Sequence, residues 1–346
     1  MSNEVFVIIL AIGCGSAIWW GSVRLPRADW QIVASIPRRE TVRGLWTGVN
    51  LTYYGLILAT AQCVAVTLFC ILMGSFGRPL WVIGLPAGLM LVICLPASKI
   101  VARLVEKKKN TFTVGGASFA GFVVAPFIAW GFNAGGFASI PVLPFLAALA
   151  VSYAIGEGMG RLGCISFGCC YGKPLGSCHP IAARLFSRFH LRFSGELKKA
   201  AYEGGFDEVP LVPVQAMTST LYCIAGLLST YLFLNGHYRL SFLTAVVITQ
   251  AWRFVSEFLR SDHRGQGRLS IYQLMSMAMI AYAICVISFF HPATVTPQPV
   301  VVGLRSIATL PFFISIEILW IVVFLFVGKS KVTGSDILLY VRRDSI

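Results

Sequence analysis

Charged residues are scarce in this 346-residue chain, at 12%, whereas a soluble domain usually carries about 25%. Acidic residues are the rarer sign, with 14 Asp and Glu against 28 Lys and Arg. Hydrophobic residues make up 57% of the chain. So little polar surface cannot cover a molecule of this size in water, and the composition therefore excludes an ordinary soluble protein.

The basic excess does not indicate a nucleic-acid partner, because the Lys and Arg residues lie between long apolar runs. Basic loops of this kind contact anionic lipid headgroups or fix the topology of a membrane protein. The first apolar run lacks both a basic segment before it and a small-residue cleavage site after it. It therefore indicates a retained membrane span rather than a cleaved signal peptide.

A membrane-spanning helix needs about 20 predominantly apolar residues. The sequence predicts an all-α integral membrane protein with about nine transmembrane helices. The predicted spans are 4–23, 51–74, 80–102, 114–132, 140–159, 214–234, 241–259, 269–289 and 308–328. Between the first two, residues 24–49 alternate apolar and basic side chains, which indicates an amphipathic segment on the membrane surface. Residues 184–199 show a similar pattern and indicate either a surface arm over a pocket or a solvated loop anchored by aromatics.

Nine spans place successive loops on alternate sides of the membrane. One side, here called the basic face, holds residues 24–49, 106–113, 160–211, 261–268 and the tail from 329. Only Arg78, Arg239 and Arg305 fall on the opposite face, which leaves 25 of the 28 Lys and Arg on the basic face. The positive-inside rule therefore predicts that the basic face is cytoplasmic.

Two arginines near the basic face can form an anion site. Arg161 follows the fifth predicted span, and Arg253 lies about two turns inside the seventh. A charge at that depth costs several kcal/mol unless it is paired or faces a polar cavity. Glu257, four residues on, is the expected partner of Arg253, and Arg260 continues the same stripe. The arrangement indicates either a pair that locks helices together or a phosphate site, for which the planar guanidinium is well suited.

The motifs resemble those of the bacterial prolipoprotein diacylglyceryl transferases. The matching segments, in chain order, are Tyr54-Gly55-Leu56, Gly115-Gly116, Gly160-Arg161-Leu162-Gly163 with Gly168 and Tyr171-Gly172, Pro213-x-Gln215, Arg253-Phe254-x-x-Glu257-Phe258-x-Arg260, and Gln273. The resemblance implies a seven-helix transferase core at 46–290 with a surface arm at 174–213. The remaining segments, 1–45 and 291–346, each add one helix.

The resemblance also implies a function. Such enzymes sit in the cytoplasmic membrane, bind phosphatidylglycerol, move its diacylglyceryl group to an acceptor and release glycerol phosphate. The expected catalytic residues are Arg161, Arg253, Glu257 and His263, with Glu257 and His263 as candidate bases. The expected substrate-binding residues are Tyr54, Gly115, Gly116, Gln215, Arg260 and Gln273. Family resemblance places the site outside the cytoplasm, against the charge count.

Some family positions are changed. Val114 stands where a histidine usually precedes the glycine pair, Cys164 replaces an asparagine, and Cys169 replaces an acidic residue. The segment 212–218 departs from the family's usual string. These changes affect groups that handle the acceptor thiol, so we expect an acceptor other than the standard lipoprotein cysteine. A lipid, a glycan, or a protein thiol or hydroxyl are the candidate classes. A lipid transporter or flippase, or a non-catalytic membrane subunit, are the alternatives.

Four of the ten cysteines cluster outside the apolar runs, at Cys164, Cys169, Cys170 and Cys178. They can bind zinc together with His179, act as a thiol relay beside Arg161, or fill space in a tight turn. The spacing matches no ordinary zinc ligand set. The sequence therefore favours packing, and no metal or cofactor is predicted.

Overall fold

The computed structural model describes residues 1–42, 45–105, 113–137, 139–262, 269–290, 299–333 and 338–340. Within these ranges nine helices are long and apolar enough to cross a membrane, which confirms the predicted fold class. These helices are α1 (Asn3–Arg24), α2 (Tyr53–Gly74), α3 (Leu80–Val105), α4 (Val114–Ala134), α5 (Val142–Phe167), α8 (Val214–Leu234), α9 (Tyr238–Ser256), α10 (Ile271–Phe289) and α12 (Leu310–Val327). Three shorter helices are α6 (Pro180–Phe186), α7 (Lys199–Tyr202) and α11 (Val300–Ile307).

The central helix, α5, is longer than the sequence predicted. Its expected end was residue 159, but the helix continues to Phe167 and ends at Gly168, whose φ of +72° is the left-handed C-cap that glycine adopts without strain. Residues from 160 onward, which include Arg161, had been assigned to a polar, non-spanning stretch. Tertiary packing overrides that signal, and Arg161 lies within the helix.

Close approach of small residues holds α5 against its neighbours. A Cβ on Gly156 would lie 2.6 Å from Ala65 of α2, and one on Gly158 would lie 3.1 Å from the Ser219 carbonyl oxygen of α8. The Ser219 hydroxyl donates to the Gly158 carbonyl at 2.6 Å. Small faces of this kind let helix backbones pack closely in a bilayer.

The segment between α1 and α2 forms a β-hairpin. Strand β1 (Ile32–Val42) pairs antiparallel with β2 (Leu45–Thr52), and β3 (Leu339–Tyr340) joins the other edge of β2. The sequence indicated a surface segment here without strands, so the hairpin is an addition to the predicted all-α fold. Strand β2 leads directly into α2, where the Thr52 hydroxyl accepts from the Gly55 amide and donates to the Gly328 carbonyl at 3.0 Å.

The arm between α5 and α8 is attached to the helix ends at the basic face. Lys198 is 1% exposed, and its Nζ donates to the carbonyl oxygens of Leu25 at 3.0 Å and Ser166 at 2.5 Å. The Lys173 amide donates to the Leu259 carbonyl at 2.9 Å. The arm therefore ties together the ends of α1, α5 and α9, which frame the candidate site.

Candidate functional site

Glu157 joins two arginines near the basic-face ends of α5 and α9. It lies four residues before Arg161 on α5, and its Oε1 accepts from Arg161 Nη2. The same oxygen lies 3.6 Å from Nη2 of Arg253. Both Glu157 and Arg253 are 9% exposed. Two guanidinium groups share one carboxylate, so this cluster carries a formal charge of about +1, which suits a monoanionic phosphodiester.

The Arg253 guanidinium is held in place from two sides. Its Nη2 donates to the Tyr153 hydroxyl of α5 at 3.2 Å. On the other side, Gly115 of α4 leaves the room it needs, because a Cβ there would lie 2.7 Å from Arg253 Nη1 and 2.9 Å from Tyr272 Cδ1. The predicted involvement of Gly115 thus has a steric basis, since only glycine allows α4 to approach the guanidinium this closely.

Arg161 retains an unused donor. Its Nε is buried and has no hydrogen-bond partner in the described part of the chain. A buried guanidinium nitrogen without an acceptor costs free energy unless a ligand supplies one. The side chain itself is 14% exposed, so it is not sealed off completely. An anionic oxygen at this position would satisfy both the charge and the free N–H group.

A second ionic group lies beyond the end of α9. Arg260 donates to Asp262 through two hydrogen bonds of 2.7 Å, and its Nη1 lies 3.9 Å from Glu257. The cysteine loop adjoins this group, because Gly172 pairs with Arg260 in an isolated antiparallel bridge and the Ser261 amide donates to the Tyr171 carbonyl at 3.1 Å. Two carboxylates already neutralise Arg260, which makes it a weaker candidate for a direct phosphate contact than Arg161 or Arg253.

The sequence suggested the wrong partner for Arg253. We expected Glu257 on the same helical face, but the structure places the Glu157 carboxylate beside Arg253 and turns Glu257 toward Arg260. The reason is local. Helix α9 ends at Ser256 and Glu257–Leu259 form a 3-10 turn, so the four-residue spacing no longer keeps one face. Arg253 also lies one turn from the helix end rather than two.

The two predicted glutamines occupy different environments. Gln215 is 1% exposed; its Nε2 donates to the Cys169 carbonyl at 2.9 Å, and its Oε1 is buried without a partner among the described residues. Gln273 instead forms the capping box of α10 with Ser270, and its Nε2 donates to the Phe254 carbonyl at 3.1 Å. Gln273 therefore fixes α10 against α9, whereas Gln215 retains an acceptor for a ligand.

Three further predicted residues complete the comparison. Tyr54 packs edge-on against Phe167, with ring centroids 6.1 Å apart, and interacts electrostatically with Arg161. Gly116 faces away from the arginines, since a Cβ there would lie 2.5 Å from Val101 of α3. Gly116 thus serves helix packing. His263, one of the two candidate bases, lies outside the described residues.

Sequence reasoning missed the role of Glu157 and of Tyr153. Both lie in the apolar run of α5, and neither belongs to the motifs that carried the argument. A signal for Glu157 was present, because an acid inside a spanning segment is costly and usually paired, and Arg161 stands four residues away. The contact of Tyr153 with Arg253 joins residues 100 positions apart and required the fold.

Comparison with known proteins finds a family match over the region that contains this site. A sequence profile of the prolipoprotein diacylglyceryl transferase family matches residues 44–289. Phosphatidylglycerol–prolipoprotein diacylglyceryl transferase 2 of Clostridium perfringens (strain 13 / Type A) is 33% identical over 138 residues, 39% of this chain and 48% of that protein. Phosphatidylglycerol–prolipoprotein diacylglyceryl transferase of Clostridium tetani (strain Massachusetts / E88) is 31% identical over 147 residues, 42% of this chain and 53% of that protein.

The chain thus spans about half the length of the curated relatives it matches. The family profile reaches further, from residue 44 to the last residue of α10, and includes every described residue of the two ionic groups. Its match covers well over half of the chain. This multi-pass membrane protein belongs to the prolipoprotein diacylglyceryl transferase family.

Proposed function

We propose that this protein transfers the diacylglyceryl group of phosphatidylglycerol to an acceptor nucleophile and releases glycerol phosphate. Arg161 and Arg253 bind the phosphate of the donor. The observation that carries the proposal is the pair of buried guanidinium groups that share the single carboxylate of Glu157. The names of the two clostridial relatives, which specify phosphatidylglycerol, support the choice of donor.

The reaction breaks a carbon–oxygen bond of the donor. The acceptor attacks the glyceryl carbon, the C–O bond to phosphate breaks, and the departing phosphate takes the electron pair while the acceptor's proton passes to a base or to water. Negative charge therefore grows on the phosphate in the transition state. Preorganised cations lower the barrier because they interact more strongly with that charge than with the diester.

The acceptor side of the proposal rests on the departures from the family pattern. Val114 and Cys164 occupy positions where family members usually carry a histidine and an asparagine, and Cys169 replaces an acid. The relatives' names specify a prolipoprotein, and we propose that this chain uses an acceptor other than the standard lipoprotein cysteine. We place the reaction in the cytoplasmic membrane, where the donor lipid resides.

The test uses purified full-length protein in vesicles that contain phosphatidylglycerol labelled in its headgroup glycerol. We expect wild type to release labelled glycerol phosphate. The Arg253→Lys variant should lose about tenfold or more, because lysine keeps the charge but not the planar donor pair. Arg239→Lys is the matched control: Arg239 lies at the opposite end of the same helix and donates to the Phe290 carbonyl at 2.7 Å.

Two results would contradict the proposal. Full activity of both Arg161→Ala and Arg253→Ala, with normal insertion, would exclude these residues as the phosphate site. Binding of the lipid by wild type, without release of glycerol phosphate under any acceptor condition, would favour a transporter on the same fold.

A further inference from the structure

Three cysteine thiols meet where α5 ends beside Arg161. The Sγ atoms of Cys164, Cys169 and Cys170 all lie within 4.8 Å of one another, with Cys164 buried and the other two half-buried. No disulfide is formed by these three cysteines in the described part of the chain. The sequence favoured packing residues here because vicinal cysteines do not match ordinary zinc spacing. In the folded chain the three Sγ atoms are nevertheless close enough to approach one ion.

The backbone at the end of α5 brings the three thiols together. Gly168 takes φ +72°, and the Cys169 amide then donates back to the Cys164 carbonyl at 3.1 Å. Cys170 follows with φ +58°, a left-handed conformation that is unfavourable for a residue with a Cβ. The left-handed conformations of Gly168 and Cys170 reverse the direction of the chain. The thiols of Cys169 and Cys170 therefore lie close to Cys164 and to each other.

Three cationic side chains lie near the cluster, and each of them is already paired with a carboxylate: Arg161 with Glu157, Arg260 with Asp262, and Lys199 with Glu203. Arg161 interacts electrostatically with Cys164 and Cys170, Arg260 with Cys170, and Lys199 with Cys169. Three thiolates around a divalent cation carry a net charge of about −1, whereas the same thiolates without the ion carry about −3.

A polar group without a partner adjoins the cluster. Gln215 is fixed to the Cys169 carbonyl through its Nε2, while its Oε1 remains buried without a hydrogen-bond donor among the described residues. A buried carbonyl oxygen of this kind usually has a partner. The Gln215 Oε1 atom therefore indicates that a ligand binds beside the cluster and contacts this oxygen.

We propose that Cys164, Cys169 and Cys170 bind one zinc-class divalent ion whose fourth position receives a thiol acceptor. Zinc–sulfur bonds of about 2.3 Å in tetrahedral geometry place three thiolates about 3.8 Å apart, so the thiols need to close by up to about 1 Å. Three protein ligands with an open fourth position are the arrangement of catalytic rather than structural zinc sites. This inference rests on the proposed function, and it names the acceptor class for the same site.

The role of the ion follows from the missing histidine. A thiol that coordinates zinc loses its proton, so the ion supplies the deprotonation that Val114 cannot. The zinc-bound sulfur attacks the glyceryl carbon and forms an S–C bond. The C–O bond breaks, its electron pair leaves with the phosphate held by Arg161 and Arg253, and the acceptor's proton passes to solvent. The thioether product binds zinc weakly and departs.

The first arm of the test measures metal binding without reference to catalysis. Reduced full-length protein in detergent is titrated with Zn²⁺, and with Co²⁺ as the spectroscopic probe. We expect one equivalent of metal and a thiolate-to-cobalt charge-transfer band. Cys164→Ser, Cys169→Ser and Cys170→Ser should each weaken binding by about 100-fold or more, since even second-shell changes cost 10–100-fold. The control is Cys178→Ser, whose thiol lies by the Pro174 carbonyl, 3.4 Å away.

The second arm adds a cysteine-containing peptide, or its serine counterpart, to the Co²⁺ and Zn²⁺ forms. We expect the thiol peptide alone to shift the cobalt spectrum, and zinc to restore the release of glycerol phosphate after chelation. Release that is unaffected by chelation, or binding that is equal in Cys169→Ser and wild type, would overturn the zinc proposal and leave the transferase intact. Stoichiometric metal without any release would contradict the proposed function instead.

Discussion

A single methyl group added at Gly115 tests the position of the Arg253 guanidinium. A Cβ there would lie 2.7 Å from Arg253 Nη1, so Gly115→Ala must displace the guanidinium. We expect the release of glycerol phosphate to fall by about 100-fold, because a displacement of about 1 Å in a site has costs of this order. Insertion should be retained, but the melting temperature should fall as well, because the added Cβ would also lie 2.9 Å from Cδ1 of the buried Tyr272 ring.

The neighbouring Gly116→Ala is the matched comparison. Its Cβ would lie 2.5 Å from Val101 Cβ, in the contact between α4 and α3. We expect overpacking to cost about 1–3 kcal/mol of stability, with the Arg253 site intact in the molecules that fold. Equal losses of activity per folded molecule in both variants would show that Gly115 does not act through Arg253.

Sequence reasoning at this scale identified the arginines but not their surroundings. Arg161 and Arg253 could be found because charge inside an apolar run needs a reason. The shared Glu157 carboxylate could not be assigned, because α5, α9 and α4 had first to be placed side by side. The misassigned Glu257 shows the same limit. Helix α9 ends at Ser256, one residue before Glu257, and the turn that follows directs Glu257 away from Arg253.

At the scale of elements, Lys198 joins the arm to the ends of α1 and α5. Burial lowers its pKa to about 7, from about 10.4 in an unfolded chain. Between these values the unfolded state binds more protons, so stability should rise with pH from about 7 to 10, by up to about 1.4 kcal/mol per unit. Below pH 7, Lys198 is protonated in the folded protein as well, so folding carries the full free-energy cost of burying its charge.

This dependence can be measured as the melting temperature of detergent-solubilised protein from pH 7 to 10. Lys198→Met should flatten the rise, whereas its neighbour Lys199→Met should keep it, because Lys199 pairs with Glu203 at 3.3 Å and its pKa is raised to about 12. An unchanged slope in Lys198→Met would mean that Lys198 is not the titrating group.

The helices could be predicted from the sequence, but the hairpin could not. Runs of about 20 apolar residues have one stable form in a bilayer, which is why all nine spans were recognised. Strand β1 is almost fully exposed, so no alternation of buried and exposed residues marks it. Its pairing with β2 depends on contacts between residues such as Ile36 and Val49, which composition alone does not reveal.

At the scale of the whole molecule, orientation remains a prediction from charge. The arginines of the site lie near the helix ends that the charge count assigns to the basic face, which the positive-inside rule places in the cytoplasm. Two glycines provide matched probes. Gly205 on the basic face and Gly136 on the opposite face have φ of +67° and +68°, and neither has an atom within 4 Å of a built Cβ.

Gly136→Cys and Gly205→Cys therefore carry the same conformational cost. In intact cells, an impermeant maleimide should label Gly136→Cys above the background of the parent chain and leave Gly205→Cys unlabelled until the membrane is permeabilised. The reverse pattern would place the site outside the cytoplasm, as family resemblance implies, and would show that functional arginines dominate the charge count.

The two hydrogen bonds from Thr52 to Gly328 limit when the N-terminus of α2 can reach its final contacts during synthesis. The Thr52 amide and hydroxyl both donate to the Gly328 carbonyl, which lies 276 residues later in the chain. At about 5–20 residues per second, the ribosome supplies that acceptor tens of seconds after Thr52 has emerged. The matched region 44–289 is thus translated in full before the N-terminus of α2 can form these two hydrogen bonds. A chain that stops before Gly328 would lack the acceptor of both hydrogen bonds.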